Sequence, residues 1–392
     1  MSPNNFTTDN TSFAPVFVRE LKLTTFRNYT SLHLDFDERH VVLTGENGSG
    51  KTNLMEAISF LSPGRGLRRA KYDQIGQVSF KGAWTVFTQL EGAQGPVAIG
   101  TGLQETATGI DTSRRVRING TPTKTSDELL DHSRIVWLTP SMDGLFTGGA
   151  SDRRKFIDRM VLAIDPLHGR RVADFEKAMR ARNKLLSDDM PDPKWLDALE
   201  TQMAELGTAI VAARMELIEI LSSAIIANHD KNSPFPDAIV GLQGNLESTY
   251  GDMPTSDLEA EYLDRLKNNR MIDRGAGRTL EGPHRSDLKV RHRPKNMAAE
   301  LCSTGEQKAL LVGILLAHAK LTAAMNGFPP ILLLDEIAAH LDAGRRAALF
   351  DLIDALGCQS FMTGTDRSLF DAMGARGNFF DVANGSVTNT SL

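Results

Sequence analysis

The chain has 392 residues, 44 Lys and Arg against 49 Asp and Glu, a net charge of −5 and 41% hydrophobic residues. That suffices for roughly two or three domains with sizeable cores, and it excludes a wholly basic nucleic-acid coat while leaving room for a local basic patch. Cys302 and Cys358 give no disulfide framework, no apolar run approaches the ~20 residues that cross a bilayer, and Met1 to Asn10 lacks the basic charge and apolar core of a secretory leader.

Residues 1–15, rich in Asn, Thr and Ser, are expected to form a mobile tail. Residues 16–150 read as mixed β with one helix. Strands are expected from Val16 to Phe26, Leu32 to Phe36, Val41 to Leu43, Phe80 to Leu90, Val97 to Gly102, Arg114 to Ile118 and Ile135 to Leu138, separated by hairpin-like turns. The Val41 strand runs into Gly45-Glu46-Asn47-Gly48-Ser49-Gly50-Lys51-Thr52, which meets the phosphate-binding pattern G-x-x-x-x-G-K-[ST] at every fixed position. A helical run from Asn53 to Ile58 leaves it. Glycines let successive backbone N–H groups face a phosphate, and the helix N-terminus adds positive potential. Lys51 is expected to reach the β- and γ-phosphates of ATP and Thr52 to ligate Mg²⁺.

Residues 151–230 lose the strand pattern and read as helices. Leu196, Leu199, Met203, Leu206, Ile210, Ala213, Leu217, Ile220 and Ala224 form a heptad seam, preceded by a shorter one at Val172, Phe175, Met179, Arg182 and Leu186. Ser187 to Pro193 must be a turn between them. The pattern predicts an antiparallel helical hairpin, with two ordinary amphipathic helices on a globular core as the alternative. No Cys-x-x-Cys marks a metal hook at its tip. Residues 231–300 are irregular. Residues 301–370 return to α/β, with helices from Gly305 to Met325 and Ala343 to Leu356 and strands from Ile331 to Leu334 and Gln359 to Thr363.

Four apolar residues followed by Asp335-Glu336 are what a buried parallel strand with acids at its carboxyl end looks like, the place where α/β sheets bind ligands. Asp335 is expected to hold Mg²⁺ and Glu336 to orient and deprotonate the attacking water. Ser303 and Glu306 make a capping-box pattern, an ordinary helix start. Ser303, Gly305 and Glu306 also match the ABC-ATPase signature Leu-Ser-Gly-Gly-Gln/Glu, with Cys302 and Thr304 in place of Leu and Gly. Ala339-His340-Leu341-Asp342 resembles the D-loop that follows in that superfamily.

The P-loop and signature flank a helical insertion, and the arrangement closely resembles the RecF family of bacterial recombination-repair ATPases, within the ABC and SMC-like superfamily. The resemblance runs from about residue 17 to 385. It is carried by Leu23 to Tyr29, Gly45 to Ala57, Gly64 to Arg68, Gly148 to Asp158, Glu281 to Leu288 and Ser303 to Leu310, most specifically by Arg153-Arg154-Lys155-Phe156-Ile157-Asp158 and Gly282-Pro283-His284-Arg285-Ser286-Asp287. It implies an α/β fold: an ABC-type ATPase head of P-loop parallel core plus antiparallel β subdomain at 16–150 and 281–392, and a helical arm domain with a short hairpin at 151–280. It adds Arg27, Asn28 and Asn53 to the nucleotide-binding set, implies that Ser303, Gly305 and Glu306 of the signature act across a dimer, and makes Asp342 the D-loop residue.

The implied protein is cytoplasmic and not membrane-bound. It binds single-stranded and duplex DNA, including gapped junctions, and dimerises on ATP. It hydrolyses ATP slowly under DNA stimulation, and works with RecO and RecR to help load RecA onto gaps coated by the single-strand-binding protein. The alternatives are a structural chromosome-organising ATPase, whose arms need more than the ~45 Å that ~30 helical residues span, and the nucleotide-binding subunit of a transporter, against which the insertion argues. Two departures from family pattern stand out. Thr139-Pro140 leads to Asp143 one place later than the usual acid, and Thr363-Gly364-Thr365 stands where many ABC proteins place a His. Arg65, Arg68, Arg69 and Lys71, Arg153 to Lys155, and Arg170, Arg171, Arg180, Arg182 and Lys184 are basic clusters, each either a solvated face or a DNA contact.

Overall fold

The structure is a computed structural model and describes residues 15–77, 82–106, 109–230, 233–339 and 341–390. Residues 1–14 of the expected tail, Phe80 of the expected fourth strand and His340 of the D-loop run lie outside the described residues.

Strands β1 (Phe17–Phe26), β2 (Tyr29–Asp35) and β3 (His40–Thr44) lead to helix α1 (Lys51–Ser59), followed by β4 (Thr85–Gly92), β5 (Gly95–Thr106), β6 (Gly109–Ile118), β7 (Thr121–Pro122) and β8 (Ile135–Leu138). Helices α2 (Ala150–Leu162), α3 (His168–Leu186) and α4 (Pro193–Ala227) come next, then β9 (Ala238–Gln243), α5 (Thr255–Asn268), α6 (Arg270–Ala276), β10 (Asp287–His292) and β11 (Met297–Ala298). The last elements are α7 (Thr304–Asn326), β12 (Ile331–Leu334), α8 (Ala343–Ala355), β13 (Ser360–Gly364), β14 (Gly377–Ala383) and β15 (Ser386–Asn389). Two compact units result, one of residues 1–143, 229–236 and 304–392, the other of 144–228 and 237–303. Residues 281–303, expected with the head, go with the second unit because β10 pairs along its length with β9.

The first unit is α/β. One sheet has the order β15-β14-β3-β13-β12-β8, parallel except for β15. Every residue of β3, β8, β12 and β13 is buried, which is why their sequences run apolar without alternation. The second sheet, β2-β1-β4-β5-β6-β7, is antiparallel. Its core is aromatic, with Trp84 packed against Phe26 at 5.6 Å and Phe60 at 5.2 Å between ring centroids. The two sheets are joined by Phe36, edge-on to both Phe361 and Phe380 at 5.4 Å. The buried Gln359 amide adds a polar link: its oxygen accepts from Val18 N–H at 2.9 Å, and its nitrogen donates to the carbonyls of Val18 and Asp37. Strands β14 and β15 were not expected. Their two-residue Asn384-Gly385 turn, with φ of 49° and 78°, is the left-handed hairpin turn that Asn-Gly favours.

Helix α7 is long and apolar enough, by length and composition, to cross a membrane, although no uninterrupted apolar run was expected to be. Its window of mean hydropathy 1.5 is 67% buried. It is apolar on all sides because it lies in a core.

In the second unit α3 and α4 form the expected hairpin. Asp192 caps α4 by accepting from Lys194 N–H at 2.9 Å, and Pro193 occupies the first helical position. The buried seam of α4 differs from the apolar pattern. Leu196, Met203, Ile210 and Leu217 are buried as expected, but Leu199, Leu206, Ala213 and Ile220 are only half-buried, and Glu200, Gly207, Arg214 and Leu221 take the inner face. The helix is rotated because its charged inner residues have partners. Arg182, one of the basic residues that could have faced DNA, is fully buried. It donates to Glu200 at 2.9 Å, Asp273 at 2.7 Å, Thr279 Oγ1 at 3.0 Å and the Leu266 carbonyl at 2.7 Å. Arg270 closes the network on Glu200 and Asp197. Residues 231–300, which read as irregular, hold a three-stranded sheet, β11-β10-β9, and helix α5, whose Leu258, Tyr262 and Leu266 are buried one turn apart.

Replacing Arg182 with Ala leaves the buried Asp273 carboxylate without its cationic partner and takes one of two arginines from Glu200. A loss of about 3–5 kcal/mol in the denaturant-unfolding midpoint analysis is expected; a change within about 0.5 kcal/mol, the range of ordinary surface substitutions, would show that the network carries no net stability.

Candidate functional site

The parallel sheet brings the expected motifs together. β3 delivers the P-loop, β12 delivers Asp335 and Glu336, and β13 lies between them, Leu43 paired with Thr363 and Leu334 with Met362. Gly45 has a φ of 141°, and a Cβ there would lie 2.3 Å from the Val382 carbonyl oxygen. Gly50 has a φ of 119°, and a Cβ would lie 2.6 Å from both Asn28 Nδ2 and Tyr29 OH. Only glycine fits either place. Glu46, Asn47 and Gly48 are exposed at the rim of the loop, and the buried Ser49 hydroxyl has no hydrogen-bond partner among the described residues.

Residues near the start of the chain brace the loop from behind. Asn28 donates to the Ser49 carbonyl at 3.1 Å and accepts from Asn53 at 2.7 Å, and Tyr29 OH donates to the Gly50 carbonyl at 3.1 Å. Arg27, grouped above with the nucleotide-binding residues, lies against α1. It forms a two-pronged pair with the fully buried Glu56 of α1, at 2.8 and 2.6 Å, and donates to the Gln74 carbonyl at 2.9 Å. Arg68 of the first basic cluster is likewise tied to Asn53 and to Glu56.

Lys51 is buried, its ammonium donating to the carbonyls of Gly45 at 2.7 Å and Glu46 at 2.8 Å. Burial lowers its pKa below the ordinary lysine value, while the charges of Glu336 and Asp335 oppose that shift. The Thr52 hydroxyl lies 3.1 Å from both oxygens of the buried Asp335. Thr363, unassigned in the sequence, donates to Asp335 Oδ1 at 2.7 Å and accepts from Glu336 N–H at 2.8 Å. Glu336 itself has a left-handed backbone, φ 51°. The buried Lys308 ammonium stands 3.4 Å from the Glu336 carbonyl and 3.4 Å from Asp143 Oδ2.

The signature residues lie at the start of α7, with Ser303 exposed just before it and Gly305 and Glu306 half-buried in its first turn. Among the described residues, a Cβ at Gly305 would find only Arg345 Nη1, at 4.0 Å. Asp342 caps α8, accepting from Arg345 N–H at 2.8 Å. The Gly282 to Asp287 run is a docking point for arginines of its own unit. Arg214 donates to the Pro283 carbonyl at 2.7 Å, Arg154 to the Ser286 carbonyl at 2.8 Å, and Arg153 to Asp287 at 2.6 Å. Arg285 alone of that run's charged residues is exposed.

A family model described as the RecF/RecN/SMC N-terminal domain matches residues 17–388. The chain is 58% identical to the DNA replication and repair protein RecF of Rhizobium rhizogenes, over 96% of this chain and 99% of that protein. To the protein of the same name from Rhizobium meliloti it is 58% identical, over 95% of this chain and 99% of the relative. A solved structure described as the recombination mediator protein RecF with ATP in the RecFOR pathway matches with a TM-score of 0.84 at 24% identity, covering 98% of this chain and 100% of that one. That likeness bears on the fold.

Proposed function

The chain belongs to the RecF/RecN/SMC N-terminal domain family, and within it to the RecF proteins, and from that premise we propose that it is an ATP-dependent DNA-binding protein of recombinational repair. The observation that carries the nucleotide part is the Thr52–Asp335 contact at 3.1 Å, reached by residues far apart in sequence. Thr52 Oγ1 and the Asp335 carboxylate are an all-oxygen donor set, suited to Mg²⁺. The Ser49 hydroxyl, unpartnered among the described residues, and the desolvated Lys51 ammonium are polar groups that a phosphate would satisfy. These residues fit ATP and its metal. Backbone N–H groups of the loop and the N-terminus of α1 would hold the phosphates, and Lys51 would turn to them from its two carbonyls. Bound Mg²⁺ supplies charge neutralisation on phosphate oxygens. Glu336, unbonded through its side chain to the fixed pair, is the general base for water.

Hydrolysis is slow and DNA-stimulated. Ser303, Gly305 and Glu306, with Asp342, face the nucleotide of a second copy, so that ATP draws two chains into a homodimer and hydrolysis releases them. The exposure of Ser303 and, among the described residues, the open side of Gly305 support this. The dimer binds DNA at single-stranded gaps in the cytoplasm and acts with RecR and RecO in the loading of RecA. Helix α4, of 35 residues, spans about 50 Å at 1.5 Å per residue, the length of a lever or docking arm and short for embracing DNA. The functional test is binding to duplex, single-stranded and gapped DNA with and without ATP across a salt titration; ATP-independent binding would contradict the proposal.

Lys51→Ala is expected to abolish tight ATP binding, and Glu336→Gln to keep binding while lowering turnover about 100-fold or more; nucleotide titration and phosphate release check both, and parental turnover in either variant removes the role assigned to it. Ser303→Arg is expected to leave ATP affinity nearly unchanged and to block the ATP-induced dimer, as read by light scattering. A dimer that survives the substitution would contradict the trans role of Ser303.

A further inference from the structure

We propose that Thr363 is a positioning residue for hydrolysis, its single hydroxyl setting the geometry of both strand-end acids at once. The inference rests on the nucleotide assignment above and deepens it.

A threonine hydroxyl has one proton and two lone pairs. Here the proton goes to Asp335 Oδ1 at 2.7 Å and a lone pair accepts the Glu336 N–H at 2.8 Å. The direction of both bonds is thereby fixed: an N–H can only donate, so the hydroxyl must give its proton to the carboxylate. Thr363 is fully buried, so water does not compete for either bond. Its β-branched side chain on a strand has few rotamers, and β13 is held on both sides by parallel pairing to β3 and β12. The hydroxyl is therefore placed by the sheet.

Two consequences follow for the acids. Asp335 receives Thr363 on Oδ1 and Thr52 across both oxygens, which fixes the plane of the carboxylate that would hold the metal. Glu336 is a non-glycine residue in the left-handed region, φ 51°, a conformation that persists only where the surroundings hold it. Thr363 bonds its N–H, and Lys308 stands 3.4 Å from its carbonyl. The turn that aims the Glu336 side chain is thus locked from the neighbouring strand. Partners that orient a ligand without touching the substrate typically change metal affinity or activity by 10–100-fold.

The test compares the parent with Thr363→Val, Thr363→Ser and Glu336→Gln in the full chain. A fluorescent ATP analogue is titrated first in EDTA and then across Mg²⁺ concentrations, and phosphate release is measured separately. For Thr363→Val the metal-free affinity should stay within about twofold, the Mg²⁺ midpoint should rise about tenfold and turnover should fall about tenfold to 100-fold, while Thr363→Ser stays within about threefold of the parent throughout. Parental turnover and Mg²⁺ midpoint in Thr363→Val would overturn the proposal. So would a Thr363→Ser as impaired as the valine variant, or loss of metal-free affinity in Thr363→Val, since either marks a packing role. Glu336→Gln separates the two levels. If it turns over at the parental rate, the assignment of Glu336 fails; if it is slow beside a parental Thr363→Val, only the role of Thr363 fails.

Discussion

The contact between Thr52 and Asp335 depends on sheet order. β3 and β12 are not neighbours; β13 separates them, and parallel strands in register bring their carboxyl ends to the same edge. A P-loop on one strand and an acid on the next but one then meet above the intervening strand. Thr363, one residue before the end of that strand, lies between the two, and its hydroxyl is used in both directions. The glycines at 45 and 50, the bracing by Asn28 and Tyr29, and the Arg27–Glu56 pair all serve to hold the loop against that edge. Residues 27–29 therefore matter to the site by fixing the backbone of the loop, and Arg27 does so through α1.

The second unit solves a different problem by a related means. Its long helix presents a seam that contains Glu200 and Arg214 beside Leu and Ile. Burying a charge is costly unless it is paired and hydrogen-bonded. Glu200 meets Arg182 and Arg270, and Arg214 meets Asp158 and the Pro283 carbonyl. Such pairs contribute less to net stability than apolar packing would, but they permit one register. A slip of α3 along α4 would strand Arg182 without its carboxylates.

The P-loop, the Asp335-Glu336 strand end and the helical hairpin were legible because each is carried by a local pattern of residues. The rotated face of α4 was not. An apolar count skips Glu200 and Arg214, although their partners, Arg182 and Asp158, are in the sequence. Only the three-dimensional pairing decides that a charge faces inward. Arg182 misled in the same way, reading as part of a basic cluster when four of its neighbours are acceptors buried with it. Strands β14 and β15 could have been found from Asn384-Gly385 between Val382 and Val387. Helix α5 could have been found from Leu258, Tyr262 and Leu266. The role of Thr363 was not legible: the sequence marked it only as part of Thr363-Gly364-Thr365, standing where many ABC proteins place a His, and not as a partner of Asp335 and Glu336. Its role exists only because β13 lies between β3 and β12.

The central claim is that Thr52 and Asp335 act as one metal-holding unit. A double-mutant cycle of Thr52→Val and Asp335→Asn, read as the gain in nucleotide affinity on adding Mg²⁺, tests it most directly. Groups that share one ligand couple strongly, whereas independent sites add to within about 0.3–0.5 kcal/mol. The account predicts that either single substitution removes most of the Mg²⁺-dependent gain and that the double variant is no worse than the poorer single. Losses that simply add would contradict it.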